Sequence, residues 1–216
     1  MQINGVESLE RAAEELGLLP FFESGVPGFS VEDMTPPGYW FADGVDGPWE
    51  WRMDVAARGK VAYAKLFAGK AGLCSMEFYP DLANYRRDGY DFDARWEDGL
   101  ANYRDKALID ALTKFGPLLT RELRAASGVD KGFEGCLTRL QMQCYVTVTG
   151  FEYLRDKHGR PYGWGLARYD LAERVFGERP REAYARDPKE SYARLMNRLR
   201  ELCPDAAEKD LKKLIK

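Results

Sequence analysis

The sequence predicts an α+β fold that is mainly helical, and three patterns support this prediction. After residue 94, signals for a helix, a short strand, two helices and a hairpin follow one another, which is the element order of a winged helix. Residues 61–75 alternate in hydrophobicity around a glycine turn and predict a separate β-hairpin. Two helical patterns close the chain. We therefore predict an aromatic-rich N-terminal α/β region packed on a winged helix, followed by C-terminal helices, over residues 1–93, 94–176 and 177–216.

The N-terminal region begins with a helical pattern over Val6–Leu16, which Gly17 is expected to end. A stretch rich in glycine, proline and aromatic residues follows this helix. Within that stretch, Ser30 and Asp33 have the spacing of a capping pair and predict a short helix. The remaining patterns predict, in order, a helix, the two hairpin strands, and a helix followed by a loop, over residues 49–57, 61–66, 71–75 and 79–92.

The winged-helix region is expected to open with one long helix over residues 95–115. Leu100 and Tyr103 fall on the apolar side that its periodicity defines. A second and a third helix follow, and Thr120 and Asp130 are the candidate residues that cap them.

Two runs of β-branched and aromatic residues after the third helix predict the strands of the hairpin. The polar turn between them, residues 155–163, is the predicted wing. Asp170 and Glu173 then have the spacing of another capping box and predict a short helix. Two final helices are expected over residues 188–202 and 205–216.

The composition argues against several classes of protein. No window of about 18 residues is apolar and uncharged, so a membrane span is not expected. The N-terminus lacks the pattern of a secretory signal, and the cysteines are scattered, which predicts reduced thiols in the cytoplasm. His158 is the only histidine and lies in a polar turn. We therefore expect no zinc site, no serine or cysteine hydrolase, and no cofactor.

The formal net charge of −3 hides an uneven distribution. Residues 1–93 carry 8 basic and 16 acidic side chains, whereas residues 94–176 carry 13 and 11, and residues 177–216 carry 11 and 8. The mildly basic second part permits a nucleic-acid surface there, although it does not require one.

Two glutamines stand one residue apart where the third helix meets the hairpin, in the stretch RLQMQCYVTVTG. If the helix continues through them, Gln141 and Gln143 lie on opposite flanks of its apolar face and are boundary residues. If the chain is already extended, their amides lie side by side and can position a water molecule or bind a base edge. The pattern favours the helical interpretation. The extended one makes both glutamines candidate catalytic residues.

Basic residues of the wing and the third helix form a candidate nucleic-acid surface. Basic wings contact phosphates, and the third helix of a winged helix commonly enters the major groove. Asp130 and Glu134 would repel phosphate, so a solvated surface of mixed charge is an equal alternative. The candidate nucleic-acid-binding residues are Lys131, Thr138, Arg139, Arg155, Lys157, His158 and Arg160.

Aromatic and basic residues of the N-terminal region form a second candidate site. Aromatic faces beside guanidinium groups suit a cleft that stacks on a base and holds a phosphate. The alternative is that these aromatic residues anchor a loop-rich region to the core, which is the commoner arrangement. The candidates for a base-stacking cleft are Trp49, Trp51, Arg52, Tyr85, Arg86 and Arg87.

Several blocks of the chain resemble the AlkZ-related family: GPWEWR, VAYAKLFAGKAG, YPDLANYRRDGYDFDARWEDGL, GFEGCLTRLQMQCYV and GRPYGWGLARY. The family is named for its similarity to the AlkZ-type DNA glycosylases, which hydrolyse the N-glycosidic bond of alkylated bases. The resemblance implies a winged-helix architecture and a link to DNA repair. Those enzymes orient water with a glutamine, an apolar residue and a second glutamine or an aspartate. QMQ at residues 141–143 matches this motif in letters, but follows the third helix rather than lying near the N-terminus.

Three functions follow from these patterns. The first is nucleic-acid binding by the winged helix, with DNA as the partner and no membrane involved. The second is a glycosylase-like hydrolase, which requires the Gln141 and Gln143 amides to converge in an open pocket. The third is a non-enzymatic scaffold or homodimer, which a large apolar face on the last two helices would favour. The sequence favours the first function and does not decide whether the protein is an enzyme.

Overall fold

A computed structural model describes residues 1–40 and 44–216 of the chain. About half of the chain is helical, and the strands form two small antiparallel sheets, so the predicted α+β class is confirmed. Among the described residues, no helix is long and apolar enough to cross a membrane.

The described residues form eleven helices and six strands, besides two short 3-10 turns. The helices are α1 (Val6–Leu16), α2 (Val31–Met34), α3 (Pro48–Arg58), α4 (Tyr79–Arg87), α5 (Phe92–Glu97), α6 (Tyr103–Phe115), α7 (Thr120–Ser127), α8 (Phe133–Met142), α9 (Ala172–Phe176), α10 (Pro188–Leu202) and α11 (Glu208–Ile215). The strands are β1 (Leu18–Pro20), β2 (Val61–Phe67), β3 (Lys70–Ser75), β4 (Leu118–Leu119), β5 (Val146–Arg155) and β6 (Pro161–Leu171).

The first sheet joins the predicted hairpin to β1, a strand that the sequence did not predict. β3 lies in the centre, and β1 and β2 are both antiparallel to it. β1 follows directly after α1, which ends at Gly17 with a φ of 82°. A Cβ atom on Gly17 would lie 2.5 Å from the Phe78 ring, so both the backbone conformation and the packing require glycine there. At three residues, β1 is too short for periodicity to reveal it.

The second sheet contains the β5–β6 hairpin, which follows α8, the helix predicted as the third of residues 94–176. Its strand order is β4–β6–β5, so the short β4 pairs with β6, and the longer β5 and β6 extend beyond it. α6 precedes β4, and α7 and α8 lie between β4 and β5. The turn between β5 and β6 occupies residues 156–160, which is shorter than the predicted turn. β5 of this hairpin packs against α3 and α8.

The predicted long helix over residues 95–115 is wrong, because two helices occupy this segment. Gly99 lies between α5 and α6 with a φ of 71°, which a helix does not accommodate. Asn102 then caps α6, since its side-chain oxygen accepts hydrogen bonds from two N–H groups of the first turn at 3.1 and 3.0 Å. Leu100 and Tyr103 are consequently 53% and 67% exposed instead of forming an apolar helix face.

Three predicted helix caps are also wrong. Thr120 is the first residue of α7, and the residue before it is the cap. α8 is preceded by Gly132 in a left-handed conformation, so Asp130 lies two residues too early to cap it. The carboxylate of Asp170 accepts a hydrogen bond from Arg174 at 2.8 Å, and the residue after Asp170 caps α9. In each case the side chain is one or two residues from the cap position, the distance by which helix ends are usually misjudged.

Two clusters of buried side chains form the core; both cross the boundary expected at residue 93, and the second also crosses that at residue 176. The first cluster joins residues between Ile3 and Tyr169 and includes the apolar face of α8. The second joins residues between Leu18 and Ile215, and brings α10 and α11 onto the first sheet and α4. The three expected segments therefore share their core.

Candidate functional site

A cavity lies where α3, β2 and β3 meet α8, β5 and β6, and we call it the aromatic cavity. Its volume is about 330 Å³, which falls in the range of about 300–1,000 Å³ that small-molecule sites occupy. The aromatic lining comes from Phe22, Trp49, Tyr63, Phe151 and Tyr169, and the polar lining comes from Arg52, Lys65, Lys70 and Gln141.

Arg52 is a buried cation in the wall of the aromatic cavity. Its side chain is 3% exposed, and its guanidinium carbon lies 3.6 Å from the centre of the Trp49 ring and 4.4 Å from that of Phe151. Within the described part of the chain, its Nη1 atom has no hydrogen-bond partner. Burial lowers the pKa of Arg52, and the neighbouring Tyr63 hydroxyl partly opposes this change. A buried guanidinium nitrogen without an acceptor is costly, so an acceptor brought by a ligand would stabilise it.

Tyr63 lies beside Arg52 and stays neutral over the physiological pH range. Burial raises the pKa of Tyr63 to about 12, although the Arg52 guanidinium works against this shift. Burial likewise raises the pKa of Tyr169 to about 12 on another wall of the cavity. Both phenols therefore offer neutral hydroxyl groups and aromatic surface, and neither contributes negative charge that would compensate Arg52.

Two lysines add positive charge to the aromatic cavity. The Nζ atom of Lys65 donates to Thr138 Oγ1 at 3.2 Å, and that of Lys70 donates to the backbone oxygen of Glu23 at 3.4 Å. Both partners are neutral oxygens, and among the described residues neither lysine has a carboxylate within salt-bridge distance. Since no aspartate or glutamate lines the cavity within the described chain, its electrostatic character is cationic.

The two predicted catalytic glutamines occupy different surroundings: Gln141 lies in the last turn of α8, which ends at Met142, and Gln143 is the residue that caps this end. Gln141 is 1% exposed and lines the aromatic cavity, where its Oε1 accepts from the Lys65 backbone N–H at 3.1 Å. Its Nε2 donates to Leu137 at 3.2 Å. Gln143 is half-buried at the end of α8 and lines two other cavities. The two amides therefore do not converge in one pocket.

The tip of the β5–β6 hairpin is ordered by hydrogen bonds between two of its side chains and its own backbone. Asp156 Oδ1 accepts hydrogen bonds from the N–H groups of His158 and Arg160 at 2.7 and 2.9 Å. Arg155 turns back and donates to the Gly159 oxygen at 2.8 Å. This network orders the turn while leaving the side chains of Lys157, His158 and Arg160 exposed. The tip consequently presents the Lys157 and Arg160 cations and the His158 ring to solvent from an ordered turn.

Two exposed aromatic residues connect this tip to the aromatic cavity. Tyr162 and Trp164 of β6 are 52% and 68% exposed. The Trp164 ring contacts that of Trp49 edge to face, with 6.0 Å between their centres. Because Trp49 lines the cavity, Trp164 links the hairpin to the cavity. Neither Tyr162 nor Trp164 was among the residues that the sequence pointed to.

The predicted contacts on the third helix are less accessible than those on the hairpin. Arg139 forms two hydrogen bonds with the buried carboxylate of Asp105 at 2.9 and 2.7 Å, and this pairing raises the pKa of Arg139. Thr138 is half-buried and faces Lys65 of β2. Lys131 is exposed just before α8. β2 therefore covers part of the helix face that would enter a DNA groove.

The predicted base-stacking cleft is divided among separate places. Trp49 and Arg52 lie together in the aromatic cavity. Trp51 is 5% exposed and packs on the Tyr39 ring, 5.3 Å away between centres. Tyr85 stacks on a tyrosine of α10. Only two of these four residues thus share the cavity.

Arg86 and Arg87 bind backbone and side chains inside the protein. Arg86 donates to the backbone oxygens of Met142 at 2.9 Å and Ile215 at 3.0 Å, which ties α4 to α8 and α11. Arg87 is fully buried and donates to Glu173 and to the hydroxyl of Tyr184. Both guanidinium groups therefore stabilise the fold; Arg87 is closed off from solvent, whereas Arg86 also lines a second cavity with Tyr85 and Gln143.

Comparison with known proteins gives one clear result. The model of the AlkZ-related family matches residues 3–216, which is nearly the whole chain. The chain belongs to the AlkZ-related family. No curated protein and no solved structure matches this AlkZ-related chain. Family membership gives a loose relation to DNA repair.

The cavity of this AlkZ-related protein combines residues that sequence reasoning found with others that it missed. Trp49 and Arg52 are three residues apart on α3, so a helix prediction alone places them on one face. Lys65 and Lys70 come from two strands and reach the cavity only through the fold. Among the described residues, no cluster of three or more potential metal ligands occurs.

Proposed function

We propose that this protein binds nucleic acid, that residues 94–176 act as a winged helix, and that the activity serves DNA repair. The β5–β6 hairpin is the wing in this proposal. The observation that carries it is the ordered hairpin tip, on which Lys157, His158 and Arg160 are exposed beside two aromatic residues. Exposed cations on a fixed turn suit phosphate contacts, and exposed aromatic rings suit bases.

The order of elements supports the winged-helix part of the proposal. α6, β4, α7, α8, β5 and β6 follow one another, and the sheet order β4–β6–β5 brings the first strand of this set beside the last. In winged helices this arrangement supports a helix and a wing on one side of the domain. Membership of the AlkZ-related family supports the link to repair.

The wing, and not the third helix, is proposed to make the main contact. A recognition helix must lay its outer face in a groove, but β2 lies against Thr138 and Gln141 of α8. The Arg139 guanidinium is already paired with Asp105, and breaking this pair would leave a buried carboxylate unpaired. The hairpin tip has no such obstacle among the described residues.

Neither alternative function is supported by a specific observation. A glycosylase-like reaction in which both glutamines hold one water requires amides that meet, whereas Gln141 and Gln143 line different cavities. A large exposed apolar face on the last two helices would favour a scaffold or a homodimer. Among the described residues, none of the exposed large apolar side chains belongs to α10 or α11.

Fluorescence anisotropy with labelled duplex and single-stranded DNA tests the proposal. We expect binding that weakens from about 50 to about 200 mM salt, because phosphate contacts release counterions. The double variant Lys157→Ala/Arg160→Ala should lower the slope of log affinity against log salt by about one for each lysine or arginine removed. The matched control is Lys189→Ala/Lys209→Ala, two exposed lysines that belong to α10 and α11 and not to the hairpin. It should bind like the unmodified protein.

Two results would contradict the proposal. The first is the absence of binding even at low salt. The second is a wing variant that binds as well as the control variant. Lys131→Ala separates the wing from the third helix, because Lys131 is exposed just before α8 and, among the described residues, takes part in no ion pair. A loss for this variant equal to that of the wing variant would return the contact to α8.

A further inference from the structure

We infer that the aromatic cavity is a nucleotide site that takes a planar heteroaromatic base against its rings and a phosphate against Lys65 and Lys70. This inference goes beyond binding by the wing, because it assigns a second site on different residues. The ligand is defined by its chemistry, and a free mononucleotide and an unstacked nucleotide within a DNA strand both supply it.

The charge of the cavity points to an anion. Arg52, Lys65 and Lys70 line it, and within the described chain their hydrogen bonds go to neutral oxygens or, for Arg52 Nη1, to no partner. Several other basic side chains of the described chain differ in this respect, since they form ion pairs with carboxylates, as Arg58 does with Glu7. Several uncompensated cations around one space favour a group with more than one negative charge, such as a phosphate monoester.

The walls of the cavity point to a flat aromatic ring. Phe22, Tyr63 and Phe151 line it together with Trp49, and the rings of Phe22 and Trp49 are tilted by 45° with centres 6.2 Å apart. Aromatic side chains stack on any base, because every base has a π-face. The cavity volume of about 330 Å³ leaves room for such a ring.

Gln141 adds a group that can bind the edge of a base. Its amide uses one N–H on Leu137 and one oxygen lone pair on the Lys65 backbone N–H. A glutamine amide has two N–H groups and two lone pairs, so one of each remains. An aliphatic or purely carboxylic ligand would leave this pair unused, whereas a heteroaromatic base carries both donors and acceptors on its edge.

Calorimetric titration of the full chain tests the inference with deoxynucleoside monophosphates, the corresponding nucleosides and inorganic phosphate. We expect the monophosphates to bind about tenfold or more tightly than either the nucleosides or inorganic phosphate, because only they satisfy both the rings and the cations. The double variant Lys65→Ala/Lys70→Ala should reduce monophosphate binding to the level of the nucleosides. Lys189→Ala/Lys209→Ala is again the matched control and should bind like the unmodified protein.

A second titration distinguishes the source of the nucleotide. It compares a fully paired duplex with the same duplex carrying one unpaired nucleotide. Tighter binding of the duplex with the unpaired nucleotide, lost in Lys65→Ala/Lys70→Ala, assigns the cavity to a nucleotide of the strand. Binding of free monophosphates without this preference assigns it to the free compound. Both results support the site.

The inference and the proposed function fail separately. If the protein binds duplex DNA, but does not bind monophosphates and does not prefer the duplex with the unpaired nucleotide, the cavity is not a nucleotide site. Binding by the wing then stands. If inorganic phosphate binds as tightly as the monophosphates, the aromatic part of the inference is overturned. If monophosphates bind and DNA does not, the site stands and the proposed function falls.

Discussion

At the scale of single residues, Gln141 is a buried amide whose role in folding can be measured. Its Oε1 is the acceptor for the backbone N–H of Lys65 in β2. Gln141→Leu leaves that N–H without its acceptor, and an unsatisfied buried donor costs about 1–3 kcal/mol. We expect a decrease of this size in the free energy of unfolding, measured by urea denaturation.

Gln143 provides the control for this measurement. Its side chain is half-buried at the end of α8, two residues from Gln141. Gln143→Leu should change the free energy of unfolding by no more than about 0.5 kcal/mol, as is usual for a substitution away from the core. An equal or larger loss for Gln143→Leu would show that the buried hydrogen bond is not what distinguishes the two positions.

At the scale of elements, the Asn102 cap stabilises α6, the helix that begins after the break at Gly99. Asn102→Ala removes the side-chain oxygen that caps α6, and the loss of such a cap costs about 1 kcal/mol. The urea midpoint should fall accordingly without a change in slope. Asn102→Ser keeps a capping oxygen and should recover most of the loss. If the alanine and serine variants unfold at the same urea concentration, the cap does not stabilise α6.

The elements also show what the sequence can and cannot predict. The bounds of Val6–Leu16 and Pro188–Leu202 are confirmed, and Ser30 caps α2 as expected, because strong periodicity and local capping decide these segments. The break at Gly99 was missed because Leu100 fits an apolar stripe equally well when it lies in an exposed turn. Periodicity detects which residues are apolar, but burial depends on what packs against them.

The grouping of residues around the aromatic cavity was predictable only where they are neighbours on one helix. Trp49 and Arg52 met this condition on α3. The cations of β2 and β3, and Trp164 of β6, approach them only because the two sheets pack around α3 and α8. Local sequence patterns do not reveal which residues from distant parts of the chain come together in the fold. The separation of Gln141 from Gln143 follows from a local property, the end of α8 at Met142, which lies between the helical and the extended interpretation of this stretch.

At the scale of the whole molecule, buried tyrosines make stability depend on alkaline pH. The pKa of Tyr63 and that of Tyr169 are both raised from 10.0 to about 12 by burial. Because the folded pKa is the higher one, this contribution is complete below pH 10.0 and is lost as the pH rises toward about 12. Each tyrosine then costs at most about 1.4 kcal/mol per pH unit.

Urea denaturation at several pH values across this window measures the effect. The free energy of unfolding should decrease more steeply above pH 10.0 in the unmodified protein than in Tyr63→Phe/Tyr169→Phe. The double variant will differ in stability at neutral pH as well, so the comparison is between slopes. Equal slopes would mean that these phenols are not shielded from ionisation.

The second core cluster has a consequence for how the chain is made. It joins Leu18 and Tyr79 to Leu195 and Ile215, which lie near the opposite end of the sequence. On a ribosome the first sheet emerges before the helices that cover it, α10 and α11, which follow every other described element along the chain. Apolar surface and strand edges therefore remain uncovered until these helices have been made, and such surfaces aggregate or recruit chaperones. Chaperone engagement is expected to persist on the nascent chain until α11 has been released.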